Sequence, residues 1–167
     1  RPTRADWRTI GRHSTDLGCC WEKYGSAENG CGSAASISST GFWLRRTYWR
    51  QDVPISSWLY SLGVARFIVR QGGTVRGVPF SFWAFPQDED KGLAALSRDA
   101  RECFEFFSDR VGPYAYGKLA HVEAANMGGG TEHVSNIFYG EKSVSAGTAP
   151  VVHETAHQWF GDSVTES

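Results

Sequence analysis

The spacing of hydrophobic positions divides the chain into parts with different predicted structures. Residues 1–40 mix Gly, Ser and scattered charge without helical or strand periodicity, so we expect this segment to be irregular and assign it to no domain. Residues 41–75 carry aromatic and β-branched runs, "GFWLRRTYWR" and "PISSWLYSLGVARFIVRQ", which are typical of antiparallel strands. After the turn that Gly72 and Gly73 indicate, "VRGVPFSFWAF" predicts another strand.

One helix is predicted after Pro86. Acidic residues at 88–90 favour its N-terminal end, where the helix dipole is positive, and Gly112 with Pro113 supplies its stop. Apolar residues recur through it at steps of three and four, as one buried face of a helix requires. These residues are Leu93, Leu96, Ala100, Phe104, Phe107 and Val111.

The remaining chain predicts two strands and a second helix. "KLAHVEA" and "TEHVSNIFYG" are predicted as strands, with a glycine turn at residues 128–130 between them. The last helix is predicted to begin near Thr148, as N-cap, with Pro150 in its first turn, and to end at Gly161. Strands, helix, strand and helix in this order indicate an α+β fold, with one domain ending and another beginning near residue 75.

Composition excludes several classes of partner. The chain has 167 residues, 41% of them hydrophobic, which is enough for one globular core, and a net charge of -1. Since the charges are interspersed, we expect no nucleic-acid partner, and no apolar run is long enough for a membrane span. The sequence is compatible with either a cytoplasmic or an exported protein. The four cysteines lack C-x-x-C spacing and are interpreted as structural or incidental: Cys19, Cys20, Cys31 and Cys103.

The stretch "VVHETAHQWFGD" carries the candidate chemistry. His153 and His157 are four residues apart, so on a helix both imidazoles project from one face and can reach a single metal ion. Glu154 lies beside them, about 60–100° round the helix, within reach of a metal-bound water without being a ligand. A separate arc is predicted to pack into the core, and it consists of Val152, Ala156 and Trp159.

Those residue types fit hydrolysis of an amide by one zinc ion. Zinc binds neutral imidazole, and a carboxylate such as Glu154 can act as general base on zinc-bound water. The alternative is a solvated helix that carries two incidental histidines.

Two motifs together resemble the aminopeptidase N family of gluzincin zinc metallopeptidases: "GGTEHVSNIFYGE" and "HETAHQWFGDSVT". The resemblance runs from about Thr47 to the C-terminus. It implies that residues 41–75 end an antiparallel β-domain and that residues 76–167 form the N-terminal half of a thermolysin-like catalytic domain. The family motif Q-W-F-G-[ND]-x-V-T is matched by Gln158, Trp159, Phe160, Gly161, Asp162, Val164 and Thr165.

The second family signature, G-A-M-E-N, falls on residues 129–133. The resemblance implies that Glu132 binds the free α-amine of a peptide substrate, and that Gly129 and Gly130 let the peptide pair with the strand. This chain departs from the signature at Thr131 and at His133.

Two further histidines are not proposed as ligands. In a strand His133 would point to the face opposite Glu132. His121 is expected to be a partly buried, hydrogen-bonded strand residue.

The resemblance also implies a third zinc ligand, a Glu separated from His157 by eighteen residues. This places the ligand at position 176, whereas the sequence ends at Ser167. We therefore expect a fragment that is inactive by itself and comes from an aminopeptidase acting on peptides with a free N-terminus. A zinc endopeptidase, or a non-catalytic remnant that binds metal weakly, are the alternatives.

Overall fold

The computed structural model describes the backbone of residues 32–37 and 43–48, and residues 51–164 in full. Two strands, β1 (Gly32–Ile37) and β2 (Trp43–Tyr48), pair in antiparallel fashion. β1 lies inside the segment that was expected to be irregular, so that expectation is wrong for residues 32–37. Backbone pairing with β2 makes this strand, and such pairing does not require alternating hydrophobic positions.

Five further strands form one mixed sheet. They are β3 (Ile68–Val75), β4 (Val78–Ala84), β5 (Leu119–Ala124), β6 (Gly130–Thr131) and β7 (Asn136–Gly140), in the spatial order β3-β4-β5-β7-β6. β4, β5 and β7 run parallel, while β3 and β6 are antiparallel to their neighbours. This mixture of a sheet with separate helices is compatible with the predicted α+β class.

A hairpin joins the two segments that the sequence analysis assigned to different domains. Arg76 and Gly77 have positive φ angles of 50° and 83°, and they connect Val75 to its partner Val78. A two-residue turn of this kind matches the twist of paired strands. The boundary predicted at residue 75 therefore cuts a hairpin, and β3 belongs to the same sheet as β4 and β5.

Residues 51–67, all of them described, contain one 3-10 turn, Ser57–Leu59, and no strand that belongs to either sheet. The strand prediction for this stretch is therefore wrong. Leu59 is buried and packs instead with Tyr116 and Val134.

The helix predicted after Pro86 is two helices, α1 (Glu89–Ser97) and α2 (Ala100–Arg110). The Ser97 hydroxyl donates to the Leu93 carbonyl at 2.7 Å, which competes with helix continuation at this point. The helical spacing nevertheless predicted most of the buried face. Leu93, Leu96, Ala100 and Phe104 are all buried.

Two short helices complete the chain, α3 (Glu141–Ser145) and α4 (Val151–His157). α3 was not predicted, and α4 begins three residues after Thr148. The Thr148 hydroxyl bonds to the Ser143 carbonyl instead of capping α4. A turn follows α4 and extends to Gly161, whose φ is +114°.

The main core lies between the sheet and the helices. Trp159 is a central residue of this core. The Trp159 ring contacts Phe104, Phe107 and Tyr114, with ring centroids 5.4–5.6 Å apart. Its indole N–H donates to the Gly112 carbonyl at 2.9 Å. These contacts fix α4 against α2 and hence fix the position of the candidate site.

None of the helices in the described part of the chain has the length and apolar character that crossing a bilayer requires. Cys103 is buried in α2 as a free thiol, and burial raises its pKa. The other cysteines, Cys19, Cys20 and Cys31, lie outside the described residues.

Candidate active site

α4 places His153 and His157 on one face with their rings converging. The two Nε2 atoms are 3.3 Å apart, and the ring planes are nearly perpendicular at 81°. Two nitrogens held about 2.0–2.1 Å from one tetrahedral ion lie roughly 3.3–3.4 Å apart. The observed separation therefore fits two ligands of a single metal ion.

The tautomer of His157 also fits a metal ligand. Its Nδ1 lies 2.9 Å from the Phe160 carbonyl oxygen, which can only accept, so Nδ1 carries the proton. In the neutral ring Nε2 then keeps its lone pair, and that lone pair faces His153. A hydrogen bond from the other ring nitrogen is how proteins commonly orient metal-binding histidines.

Glu154 lies next to this pair but is far less exposed, at 5%. One carboxylate oxygen and one nitrogen from each imidazole all lie within 4.8 Å of one another. Burial raises the pKa of Glu154, His153 and His157 oppose that rise, and Glu132 adds to it. The three side chains can hold a metal ion or place a carboxylate beside one.

The buried arc of α4 differs from the one predicted. Trp159 is buried as expected, but Val152 is 48% exposed. Val151 and Thr155 are buried instead, and both lie on the side of the helix that also carries Glu154. The hydrophobic pattern missed this arc because it contains polar residues.

β6 lies directly against Glu154. A Cβ at Gly130 would lie 2.5 Å from Glu154 Cγ and 2.6 Å from its Oε1, so glycine makes room for the carboxylate. Gly129 has a φ of +62°, and its carbonyl accepts the Gly140 N–H at 2.9 Å. The predicted glycine positions and the predicted base are therefore neighbours.

Glu132 is not in a strand, contrary to the prediction for "TEHVSNIFYG". β6 ends at Thr131, and residues 132–135 form a turn before β7, in which Ser135 has a φ of 60°. Glu132 and His133 therefore need not point to opposite faces of a strand. Glu132 is half-buried, and its charge raises the pKa of both Glu154 and Asp162, so it lies within electrostatic range of the site.

Two other histidines in the described part of the chain stand apart from the group that could hold a metal ion, His153, Glu154 and His157. His133 is half-buried, its ring lies edge-on to Phe138, and burial lowers its pKa against the opposing charge of Glu132. His121 is fully buried, with Nδ1 2.9 Å from the Tyr139 hydroxyl, and burial lowers its pKa to about 3. The expected hydrogen-bonded strand histidine is therefore confirmed, and it is fully rather than partly buried.

No protein-family model matches the chain, but individual relatives do. The glutamyl aminopeptidase of Bitis rhinoceros is 26% identical over 144 residues, covering 78% of this chain and 15% of that protein. The glutamyl aminopeptidase of Bos taurus is 28% identical over 137 residues, covering 74% of this chain and 14% of that protein. Aminopeptidase N of Haemonchus contortus is 28% identical over 125 residues, covering 66% of this chain and 13% of that protein.

The resemblance to the aminopeptidase N family is confirmed. The relatives are aminopeptidases by name, which supports a peptidase function at the level of the family. The chain spans about 15% of the length of these relatives.

The aminopeptidase N motif contains a residue to which the sequence analysis gave no role. Gln158 is buried, and its Oε1 accepts hydrogen bonds from the Ser135 N–H and the Tyr114 hydroxyl, both at 3.0 Å. Its Nε2 donates to Asp162 Oδ2 at 2.6 Å. The motif match was the signal that could have drawn attention to Gln158 and Asp162.

Proposed function

We propose that the protein carrying this chain is a zinc-dependent aminopeptidase that removes N-terminal residues from peptides. The observation that supports it best is the convergence of the His153 and His157 Nε2 atoms at 3.3 Å, with the Glu154 carboxylate beside them. The similarity to named aminopeptidases supports the same class of reaction.

In this proposal His153 and His157 are two of the zinc ligands. Catalytic zinc normally has three protein ligands, and the third is proposed at position 176, after Ser167. A bound zinc ion lowers the pKa of water and polarises the substrate carbonyl. The isolated chain is accordingly proposed to be inactive.

Glu154 is the proposed general base. Its carboxylate accepts a proton from the attacking water and returns it to the amine that leaves when the amide bond breaks. Burial raises the pKa of this carboxyl above its ordinary value, which favours a group that must also give the proton back.

Glu132 and the two glycines are proposed to select the substrate. Glu132 would bind the free α-amine through a charge-assisted hydrogen bond. Gly129 and Gly130 leave the backbone of the edge strand β6 open to an extended peptide. Recognition of the amine would restrict cleavage to the first peptide bond and distinguishes this proposal from an endopeptidase.

The test compares a substrate with a free α-amine and the same substrate after N-acetylation, using the full protein loaded with zinc. The free-amine substrate is expected to be cleaved far faster than the acetylated one. Glu132→Gln should lower the ratio of kcat/KM for the free-amine substrate to kcat/KM for the acetylated substrate by about tenfold or more. Equal turnover of both substrates would identify an endopeptidase. Absence of turnover in the zinc-loaded protein would support the non-catalytic alternative.

A second variant tests the base. Glu154→Gln should lower kcat by about 10²–10⁴-fold while zinc content remains unchanged. Normal turnover by the Glu154→Gln protein would show that Glu154 is not the general base.

A further inference from the structure

Gln158 bridges the metal helix and the turn that carries Glu132. It follows His157 directly in the chain and is 1% exposed. Besides the bonds to Ser135, Tyr114 and Asp162, its Nε2 lies 3.4 Å from the carbonyl oxygens of both Glu132 and His133. One buried side chain therefore contacts three of the four residues of the 132–135 turn.

The orientation of the Gln158 amide follows from its neighbours. The Ser135 N–H can only donate, so the amide atom that faces it is the oxygen. The nitrogen then faces three acceptors, Asp162 Oδ2 and the carbonyl oxygens of residues 132 and 133. The contacts with Ser135, Asp162 and the carbonyls of residues 132 and 133 each pair a donor with an acceptor, and the Tyr114 hydroxyl shares its single proton between Gln158 Oε1 and the Lys118 carbonyl. A buried polar network satisfied in this way is rigid and fixes its own geometry.

Asp162 holds the amide from the far side. It is buried, and its pKa is raised to about 8 by burial and by the charges of Glu132 and Glu154. An oxygen of this carboxyl can accept the Gln158 N–H in either protonation state. The hydrogen bond from Gln158 Nε2 to Asp162 therefore does not depend on the charge of Asp162.

We propose that Gln158 is a positioning residue that sets the distance between Glu132 and the His153–His157 pair. This inference rests on the proposed function, because it assigns to Gln158 the placement of the amine-binding carboxylate. A displacement of about 1 Å in a positioned group can cost on the order of 10²-fold in rate. The turn has a second support, since Val134 packs with Leu59 and Tyr116, so loss of Gln158 should shift the turn without releasing it.

The experiment uses Gln158→Leu in the full protein. The ratio of kcat/KM for the free-amine substrate to that for its N-acetylated form should fall by about tenfold or more, with zinc content unchanged. Hydrogen exchange at the Ser135 amide should become about tenfold faster, because its buried acceptor is lost. Tyr114→Phe removes the hydroxyl that contacts Gln158 Oε1 and the Lys118 carbonyl but keeps the bonds of Gln158 to Ser135 and Asp162, so it should change the ratio less than about threefold. Val152→Ala, on the exposed side of the same helix, should change neither readout.

A merely structural role would lower both kcat/KM values equally and leave their ratio unchanged, and that result would overturn the proposal. Unchanged exchange at Ser135 would overturn it too. If Gln158→Leu does not fold, Gln158→Glu carries the test, since it keeps the shape and the acceptor for Ser135 but loses the donor to residues 132 and 133. The same fall in the ratio is expected.

Failure of this inference is distinguishable from failure of the proposed function. A ratio that stays unchanged in Glu132→Gln overturns amine recognition itself. A ratio that falls in Glu132→Gln but not in the Gln158 variants overturns only the positioning role. In the double variant the two effects should not add, because both act through Glu132.

Discussion

The Glu154 side chain occupies the space that a β-carbon on residue 130 would fill. The ideal Cβ position of Gly130 lies 2.5–2.7 Å from three Glu154 side-chain atoms, well inside van der Waals contact. The edge strand β6 and the helix α4 therefore approach closely only because residue 130 is glycine. β6 thus covers the carboxylate on this side, and burial raises the pKa of Glu154.

Gly130→Ala should displace the Glu154 carboxylate and lower the free energy of unfolding by about 1–3 kcal/mol, as overpacking does. The measurement is urea-induced unfolding of the variant and of Gly130→Ala combined with Glu154→Ala. In the Glu154→Ala background the added methyl has room, so its cost should largely disappear. Gly128→Ala is the matched control, because its added Cβ meets nothing within 4 Å. Equal costs of Gly130→Ala in both backgrounds would contradict the contact.

Much of the candidate metal site could be predicted from the sequence because it depends on local periodicity. Residues four apart share a helix face wherever a helix forms. The two histidines His153 and His157 therefore lie on one face as soon as α4 forms. Leu93 and Phe104 were placed in the core by the same reasoning. A local pattern is reliable when the side chains that must meet belong to one element.

Features that depend on contacts distant in sequence were not predicted. The bond from Ser135 to Gln158 joins two elements, and no periodicity within either one indicates it. The hairpin across residue 75 was not predicted because the Arg76–Gly77 turn lacks the Asn-Gly or Asp-Gly signal of a tight hairpin. The positive φ of Ser135 likewise interrupts the strand predicted for "TEHVSNIFYG", and no glycine at that position indicated the interruption.

His153→Ala and His157→Ala should each weaken zinc binding to this chain by about tenfold or more, since even indirect partners of a metal ligand contribute 10–100-fold. Isothermal titration calorimetry measures the affinity. His133→Ala is the control, because His133 lies outside the candidate metal-binding group. Binding to the unmodified chain should itself be weak, and tight stoichiometric binding would contradict the proposal that a necessary ligand lies at position 176.

Trp159→Phe should destabilise the fold by about 1–3 kcal/mol. The smaller ring leaves a gap against Phe104 and Phe107, and the Gly112 carbonyl loses the indole N–H as a donor. Phe106→Leu replaces an aromatic side chain at an exposed position of α2 and should change the free energy of unfolding by less than about 0.5 kcal/mol. Chemical denaturation of both variants checks the difference, and equal losses would mean that Trp159 does not hold α4 against α2.

Glu123→Gln should remove part of the pH dependence of stability. Glu123 is buried at the end of β5, where its Oε2 accepts the Phe85 N–H at 2.7 Å. Burial raises its pKa from 4.5 to about 7, the Phe85 hydrogen bond opposes the rise, and the nearby carboxyls of Asp88 and Glu141 add to it.

The sign follows from comparing the folded and unfolded chains. Above about pH 4.5 the unfolded chain ionises Glu123, whereas the folded chain keeps the proton up to about pH 7. The stability that the protonated side chain contributes is therefore complete below about pH 4.5 and is lost as the pH rises through about 7. The loss is on the order of 3 kcal/mol, at about 1.4 kcal/mol per pKa unit.

Glutamine keeps the acceptor for Phe85 and cannot ionise, so Glu123→Gln should gain stability relative to the unmodified protein between pH 5 and pH 8. Urea unfolding at several pH values in that range measures the difference. Glu89→Gln, which removes an exposed carboxylate near the same segment, is the matched control. If the unmodified protein and Glu123→Gln lose stability in parallel over this range, the folded protein does not retain a proton on Glu123. The ionised carboxylate would then have to be stabilised by more than the single Phe85 N–H.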